Sequence, residues 1–146
     1  MDLDAQVRAA VYQHFVDHAS PPTVTDIAAE LLITPTTVRE AYQRLFQRRV
    51  LVLGPDGEKI IMAPPFSGVA TQHRVQVDDH EYFANCSWDS LGIPAALHRP
   101  ATIRSRCEQS QEPLEIVIGN DGPAPVSCVA HFAVPAARWW ENIIFT

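Results

Sequence analysis

An α+β fold, helices first and a small mixed or antiparallel sheet after them, is what this 146-residue sequence predicts. Three observations lead there. Apolar residues recur at helical spacing in three segments within residues 3–47. Beyond residue 72 they alternate, or run briefly apolar, between clusters of turn-forming residues, which is the pattern of strands. Between the two lies Ala63-Pro64-Pro65-Phe66-Ser67-Gly68, a turn-rich break, so the chain divides into residues 1–62, a linker at 63–71 and residues 72–146. With 47% hydrophobic and 19% charged residues the chain has enough apolar surface for a core and too little charge for a disordered segment.

The elements follow in order. Leu3, Val7, Ala10, Val11, His14 and Phe15 mark one face of a helix over 3–18. Ser20-Pro21-Pro22 ends it, because proline lacks an N–H and its predecessor avoids helical angles. Thr25 is expected to cap a short helix starting at Asp26, with Ile27, Ala28 and Leu31 inward and the Asp26 carboxylate favoured by the helix dipole. Thr34-Pro35, an N-cap followed by proline at the first helical position, opens a third helix with Val38, Ala41, Tyr42, Leu45 and Phe46 inward. The apolar runs 50–53 and 59–62 flank Gly54-Pro55-Asp56-Gly57, a hairpin-turn composition.

Three short helices and a hairpin over about residues 3–62 resemble a winged helix-turn-helix domain, with the stretch VTDIAAELLITPTTVREAYQRLFQRRVLVL carrying the order. That resemblance implies DNA binding through the second helix of the motif. The charge argues otherwise. Residues 1–62 hold six Lys/Arg (Arg8, Arg39, Arg44, Arg48, Arg49, Lys59) against eight Asp/Glu, leaving −2, within a chain of net charge −6. A phosphate-binding surface must supply positive charge, so the arginines read as a solvated helix face and DNA is not an expected partner.

In the second half, residues 73–77 read as a strand with Val75 and Val77 on one face, and Asp78-Asp79 as a cap for the next element. Residues 82–91 read as a helix stopped by Gly92 and Pro94. Residues 101–107 alternate Ala101, Ile103, Ser105 and Cys107 against Thr102, Arg104 and Arg106, a half-buried strand. Gln111-Glu112-Pro113 turns into a strand at 114–118, Gly119-Asn120-Asp121-Gly122 is a turn, and 126–134 reads as another strand. Pro135 opens a short helix through Trp139. Residues 142–146 look like the start of an apolar strand, so the sequence reads as a piece cut inside an element.

The sequence has no run near the roughly 18 apolar residues of a membrane span, and no basic-then-apolar leader, so a cytoplasmic location with no membrane partner is the expectation. Three cysteines at wide spacing (Cys86, Cys107, Cys128) make no disulfide framework, and with no C-x-x-C pair a structural zinc site is not expected. A free cysteine is most simply a small buried hydrophobe. Cys86 and Asp89, however, lie three residues apart on one face of the expected helix, with Cys86 in its second turn. A carboxylate beside a thiol raises the thiol pKa, so the pair makes little sense as an activated nucleophile. It makes sense when the thiol takes a soft metal and the acid delivers a proton.

The segment YFANCSWDSLGIPAALHRPATIRSRCEQSQEPLEI resembles the core of alkylmercury lyases: an aromatic pair, C-x-x-D, a leucine and a proline, then a strand ending in a second cysteine and a proline turn. The similarity covers roughly residues 72–140, and the family also carries a winged-helix-like domain ahead of it. The resemblance implies cleavage of a carbon–mercury bond by protonolysis, giving a hydrocarbon and Hg(II). Cys86 then matches the mercury-binding thiol, Asp89 the proton donor and Cys107 a structural cysteine. No organic cofactor is implied. The partners are a small organomercurial and the cellular thiols, or a mercury-accepting protein, that take the metal away. In the family a second thiolate shares the metal and lies beyond the segment matching residues 136–145, where this sequence ends. Cys128 is not equated with it and reads as a buried strand cysteine.

Other residues invite weaker readings. His73, His80, His98 and His131 could join Cys86 around a metal, or His98 or His131 could pair with it as a nucleophile, although scattered histidines are usually satisfied by ordinary hydrogen bonds. Trp139-Trp140 reads as an apolar cap, one ring of which lines a hydrophobic substrate pocket. The alternative for the whole chain is a winged-helix regulator whose C-terminal part senses a metal or ligand.

Overall fold

The computed structural model describes residues 2–144 and is an α+β molecule. Helix α1 (Leu3–His18) starts at Asp2, whose carboxylate accepts the Ala5 N–H at 2.8 Å, and ends at Ala19 in the left-handed conformation. Helix α2 (Val24–Leu31) starts two residues earlier than expected. Its cap is Thr23, not Thr25: the Thr23 hydroxyl accepts the Asp26 N–H at 3.2 Å while the Asp26 carboxylate accepts the Thr23 N–H at 2.7 Å. That reciprocal box satisfies two otherwise orphaned donors, which a cap at Thr25 could not. Helix α3 (Pro35–Gln47) begins as expected, with Thr34 accepting the Thr37 N–H. Val38, Ala41, Tyr42 and Leu45 form its buried stripe; Phe46, one position off that stripe, is 44% exposed.

Three of the basic residues read as a solvated face are paired with carboxylates. Asp4, buried on α1, accepts a fork of bonds from Arg44 at 2.8–3.2 Å and lies 3.4 Å from Arg48. Arg39 pairs with Glu58 across to the turn after α3. Strands β1 (Val52–Leu53), β2 (Ile60–Ala63) and β3 (Phe66–Ser67) form a three-stranded antiparallel sheet, so the expected hairpin is present and gains a third strand from the Pro64-Pro65 turn.

The second sheet is antiparallel in the order β5-β4-β6-β7-β8. Strand β4 (Arg74–Val77) turns through Asp78-Asp79 into β5 (His80–Phe83), with Val77 opposite His80. The two aspartates are therefore a hairpin turn, not a helix cap, and Asp78 takes the positive φ (48°) that two-residue turns require. Tyr82 belongs to this strand. Helix α4 runs over Ser87–Leu97, five residues later than expected, straight through Gly92 and Pro94. A Cβ on Gly92 would come within 3.2 Å of Pro65 Cβ, so this glycine permits close packing and does not end the helix.

Strands β6 (Ala101–Arg106) and β7 (Pro113–Gly119) pair over six residues, and Ala101 and Ile103 are buried as the alternation predicts. The expected strand at 126–134 does not form. The outer edge of β7 is already occupied by β8 (Gly122–Pro123), and among the described residues nothing pairs with 126–134, where Val129 is 90% exposed. Cys128 is accordingly exposed, against the expectation of a buried strand cysteine. Pro135 does open a short helix, a 3₁₀ turn over Ala136–Glu141. Residues 142–144 make a bend and turn where a strand was expected; the rest of that expected strand, Phe145 and Thr146, lies outside the described residues.

One hydrophobic cluster joins both halves. Val7, Val11 and Phe15 of α1 and Tyr42 of α3 belong to the same buried set as Phe66, Val75, Tyr82, Ile93 and Ile103. Phe66 stacks on Phe15 at 5.4 Å and tilts against Tyr82 at 5.4 Å. That packing sets the start of α4 against the β2–β3 corner and the flank of α1.

Candidate active site

After β5 the chain makes one antiparallel bridge, Ala84 opposite Phe66, and then turns into α4. Cys86 is the N-cap of that helix. Its backbone is extended, and its Sγ accepts the Asp89 N–H at 3.5 Å. The three-residue spacing of Cys86 and Asp89 is thus the N-cap to N3 spacing of a capped helix start, whereas the sequence pattern predicts Cys86 already in the second turn of the helix. The thiol takes the place of the usual hydroxyl. The Asp89 carboxylate does not return to the cap; it accepts from Asn85 Nδ2 at 2.9 Å. Asn85 is fixed in turn by donating to the Phe66 carbonyl at 3.1 Å, while its own Oδ1 is buried without a partner among the described residues.

Burial governs the protonation of both groups. It pushes the Cys86 thiol up, assisted by the neighbouring Asp89 carboxylate and opposed by the backbone N–H groups of Asp89 and Trp88. Burial also pushes the Asp89 carboxyl up, against the opposing bond from Asn85. Two acidic protons are therefore kept next to one another beyond their ordinary ranges.

Both side chains line a cavity of about 840 Å³, walled on one side by Trp88, Phe132, Trp139 and Trp140. Trp139 donates its indole N–H to the Val134 carbonyl at 2.8 Å and packs on Phe132 at 5.2 Å. The cavity is also lined by Arg8 and Tyr12 of α1, by Arg49 and Val50 just after α3, and by Met62 and Pro64. Tyr12 donates its hydroxyl to the Pro64 carbonyl at 3.0 Å.

The other candidates disperse. His73 and His131 line the cavity; His73 is held by Ser105 at 2.8 Å, and burial pushes its pKa down. His80 reaches the Asp17 carbonyl at 3.0 Å, and His98 is the exposed C-cap of α4. No group of three or more His, Cys, Asp or Glu that could hold a metal occurs among the described residues, so the histidine–Cys86 metal cluster is not formed. Cys107 lies after β6, outside the cavity wall, with Ser110 holding its thiol pKa down. Asn85, Tyr12, Arg8 and Arg49 were missed by sequence reasoning. Asn85 had one available signal, its place directly before the capping thiol. The others reach the site only through packing.

A thiol at a helix N-terminus beside a half-buried carboxyl, in a cavity lined by aromatic rings, has the donor chemistry to bind a soft electrophile. The alkylmercury lyase family model matches residues 66–146, and the chain belongs to that family. It is 30% identical over 124 residues to an alkylmercury lyase of Streptomyces lividans, a match covering 80% of this chain and 54% of that protein. Its fold is similar to the crystal structure of the mercury-bound form of MerB2, with a TM-score of 0.66 at 22% identity, covering 84% of this chain and 60% of the other. The chain thus spans a little over half the length of these relatives.

Proposed function

We propose that this chain cleaves carbon–mercury bonds of small organomercurials by protonolysis, with Cys86 capturing mercury and Asp89 protonating the carbon. The observation that carries this reading is the single helix start that holds both groups on one cavity wall, the Cys86 Sγ accepting the Asp89 N–H at 3.5 Å.

The steps follow from the chemistry of the two groups. Mercury is very soft and thiolate is the softest protein ligand, so an R–Hg–X substrate forms an S–Hg bond at Cys86. The Hg–X bond breaks, and the thiol proton leaves with X as HX. Metal capture overcomes the raised thiol pKa because coordination itself expels the proton. The Asp89 proton then passes to the carbon: the C–H bond forms, the C–Hg electron pair stays with carbon, and RH leaves. Mercury remains on the Cys86 sulfur beside an Asp89 carboxylate. Two external thiols remove it as a bis-thiolate, and their protons restore Cys86 and Asp89. The raised pKa of Asp89 serves the second step, because an acid must still hold its proton at working pH. Asn85 positions the donor oxygen. No organic cofactor enters, and Cys107 is left a structural role.

External thiols as the second ligand, and a substrate thiol that must stay reduced, suit a cytoplasmic compartment. None of the helices among the described residues is long and apolar enough to cross a membrane. We retain the winged-helix likeness of residues 1–62 and the division at 63–71 as proposals; DNA is not among the partners we propose, since Arg39, Arg44 and Arg48 are all committed to carboxylates.

The test is release of benzene from phenylmercury with excess small thiol. Cys86→Ser is expected to abolish both release and mercury retention. Asp89→Asn is expected to retain phenylmercury and lose about 10²–10⁴-fold in turnover, the usual worth of a positioned acid. Full turnover in either variant would reject the assignment.

A further inference from the structure

Seven of the chain's ten arginines lie within ion-pair distance of a carboxylate, and Arg106 bonds the Gln111 carbonyl. Among the described residues, Arg8 and Arg49 have no carboxylate partner, and both line the cavity that holds Cys86. Arg8 stands in the second turn of α1, its guanidinium 5.7 Å from the centroid of the Tyr12 ring, which is itself cavity wall. Arg49 follows α3 in the left-handed region (φ 61°), its N–H fixed to the Phe46 carbonyl at 2.9 Å. The cavity's two carboxyl groups accept from neighbouring side-chain amides and from neither arginine: Asp89 from Asn85, and Glu108 from Gln72. Two arginines with no carboxylate partner among the described residues therefore line one cavity, in a chain that is acidic overall and pairs most of its cations.

We infer that Arg8 and Arg49 form an anion-accepting subsite at this cavity, taking a carboxylate carried by the molecule that meets Cys86. A planar guanidinium matches a carboxylate with two parallel bonds, which a lysine would not do. The carboxylate has two sources in the chemistry proposed above, the organic group on mercury or the thiol that removes the metal. That choice rests on the lyase reading; the anion preference does not.

The first experiment needs no mercury. Alkylation at Cys86 is followed by peptide mass with iodoacetate and with iodoacetamide, in the unaltered protein and in an Arg8→Gln, Arg49→Gln variant. The iodoacetate-to-iodoacetamide rate ratio is expected to fall about fivefold or more in the variant, in line with the local concentration of an anion by a charged cleft. In the unaltered protein the same ratio is expected to fall as salt screens the arginines, so the test survives a variant that does not fold. A ratio indifferent to both substitution and salt overturns the proposal. Turnover then assigns the source. If the variant loses its preference for 4-carboxyphenylmercury over phenylmercury, the subsite serves the organic group. If it loses its preference for a carboxylated thiol over mercaptoethanol, the subsite serves the thiol. Absence of turnover on every mercurial would defeat the lyase reading while the alkylation ratio still decides the anion subsite.

Discussion

Partial burial raises the Asp89 carboxyl above its ordinary range, and holding an acid there has a measurable cost. A carboxyl raised in the folded state contributes stability that is complete below the ordinary value of 3.8 and is lost as pH rises through the folded value. Asp89→Asn removes the ionisable group and keeps an oxygen to accept from Asn85. That variant is expected to melt above the unaltered protein at neutral pH, with the advantage vanishing below pH 3.8; thermal unfolding at both pH values checks it. Such a gain in stability with a loss of turnover is what a functional strain predicts. Asp4 behaves oppositely, since its bonds from Arg44 hold its carboxyl below the ordinary range. Its contribution is present above 3.8 and is lost as pH falls through the lowered value. Tyr42 offers a contrast outside the site. It is fully buried, and among the described residues its hydroxyl has no partner. Tyr42→Phe is therefore expected to stabilise the fold by about 1 kcal/mol, the cost of an unsatisfied buried hydroxyl, read as a shift in the denaturant midpoint.

Helix α4 gives the thiol its setting, because Cys86 fills the N-cap position where serine is among the best residues and cysteine is uncommon. Cys86→Ser is expected to leave the melting temperature unchanged or higher while mercury retention disappears; a marked drop in melting temperature would mean that the sulfur is structural. Much of the element order was legible from local chemistry. Thr34-Pro35 announced α3, and the alternation from Ala101 to Cys107 announced β6. The start of α4 was not legible, because Asp78-Asp79 suits both a cap and a two-residue turn, and only the pairing of Val77 with His80 decides between them. Its end was not legible either. Gly92 and Pro94 read as stops, yet the close approach of Pro65 to Gly92 and the burial of Ile93 and Pro94 offset the helix bond that proline forgoes. The thiol–acid spacing could be read from sequence. Tyr12, Arg8 and Arg49 could not, since they reach the cavity from α1 and the turn after α3, more than thirty residues away in the chain.

The whole molecule shares one apolar cluster, and Phe66 sits at its junction between Phe15 of α1 and Tyr82 of β5. Phe66→Ala is expected to cost about 3–5 kcal/mol, typical of a large aromatic removed from a core. The helices and the larger sheet are expected to unfold together, in one transition seen equally by circular dichroism and tryptophan fluorescence. Residues of α1 and of α4 line the same cavity, so a site assembled from both halves depends on that junction. The most direct test of that site is the mass of the Asp89→Asn protein, in a Cys107→Ser, Cys128→Ser background, after exposure to phenylmercury. Cys86 is then the sole thiol. An intact phenylmercury adduct on Cys86 is expected, persisting because no proton reaches the carbon. A protein carrying bare mercury, its phenyl group released at the rate of the Asp89 form, would contradict it.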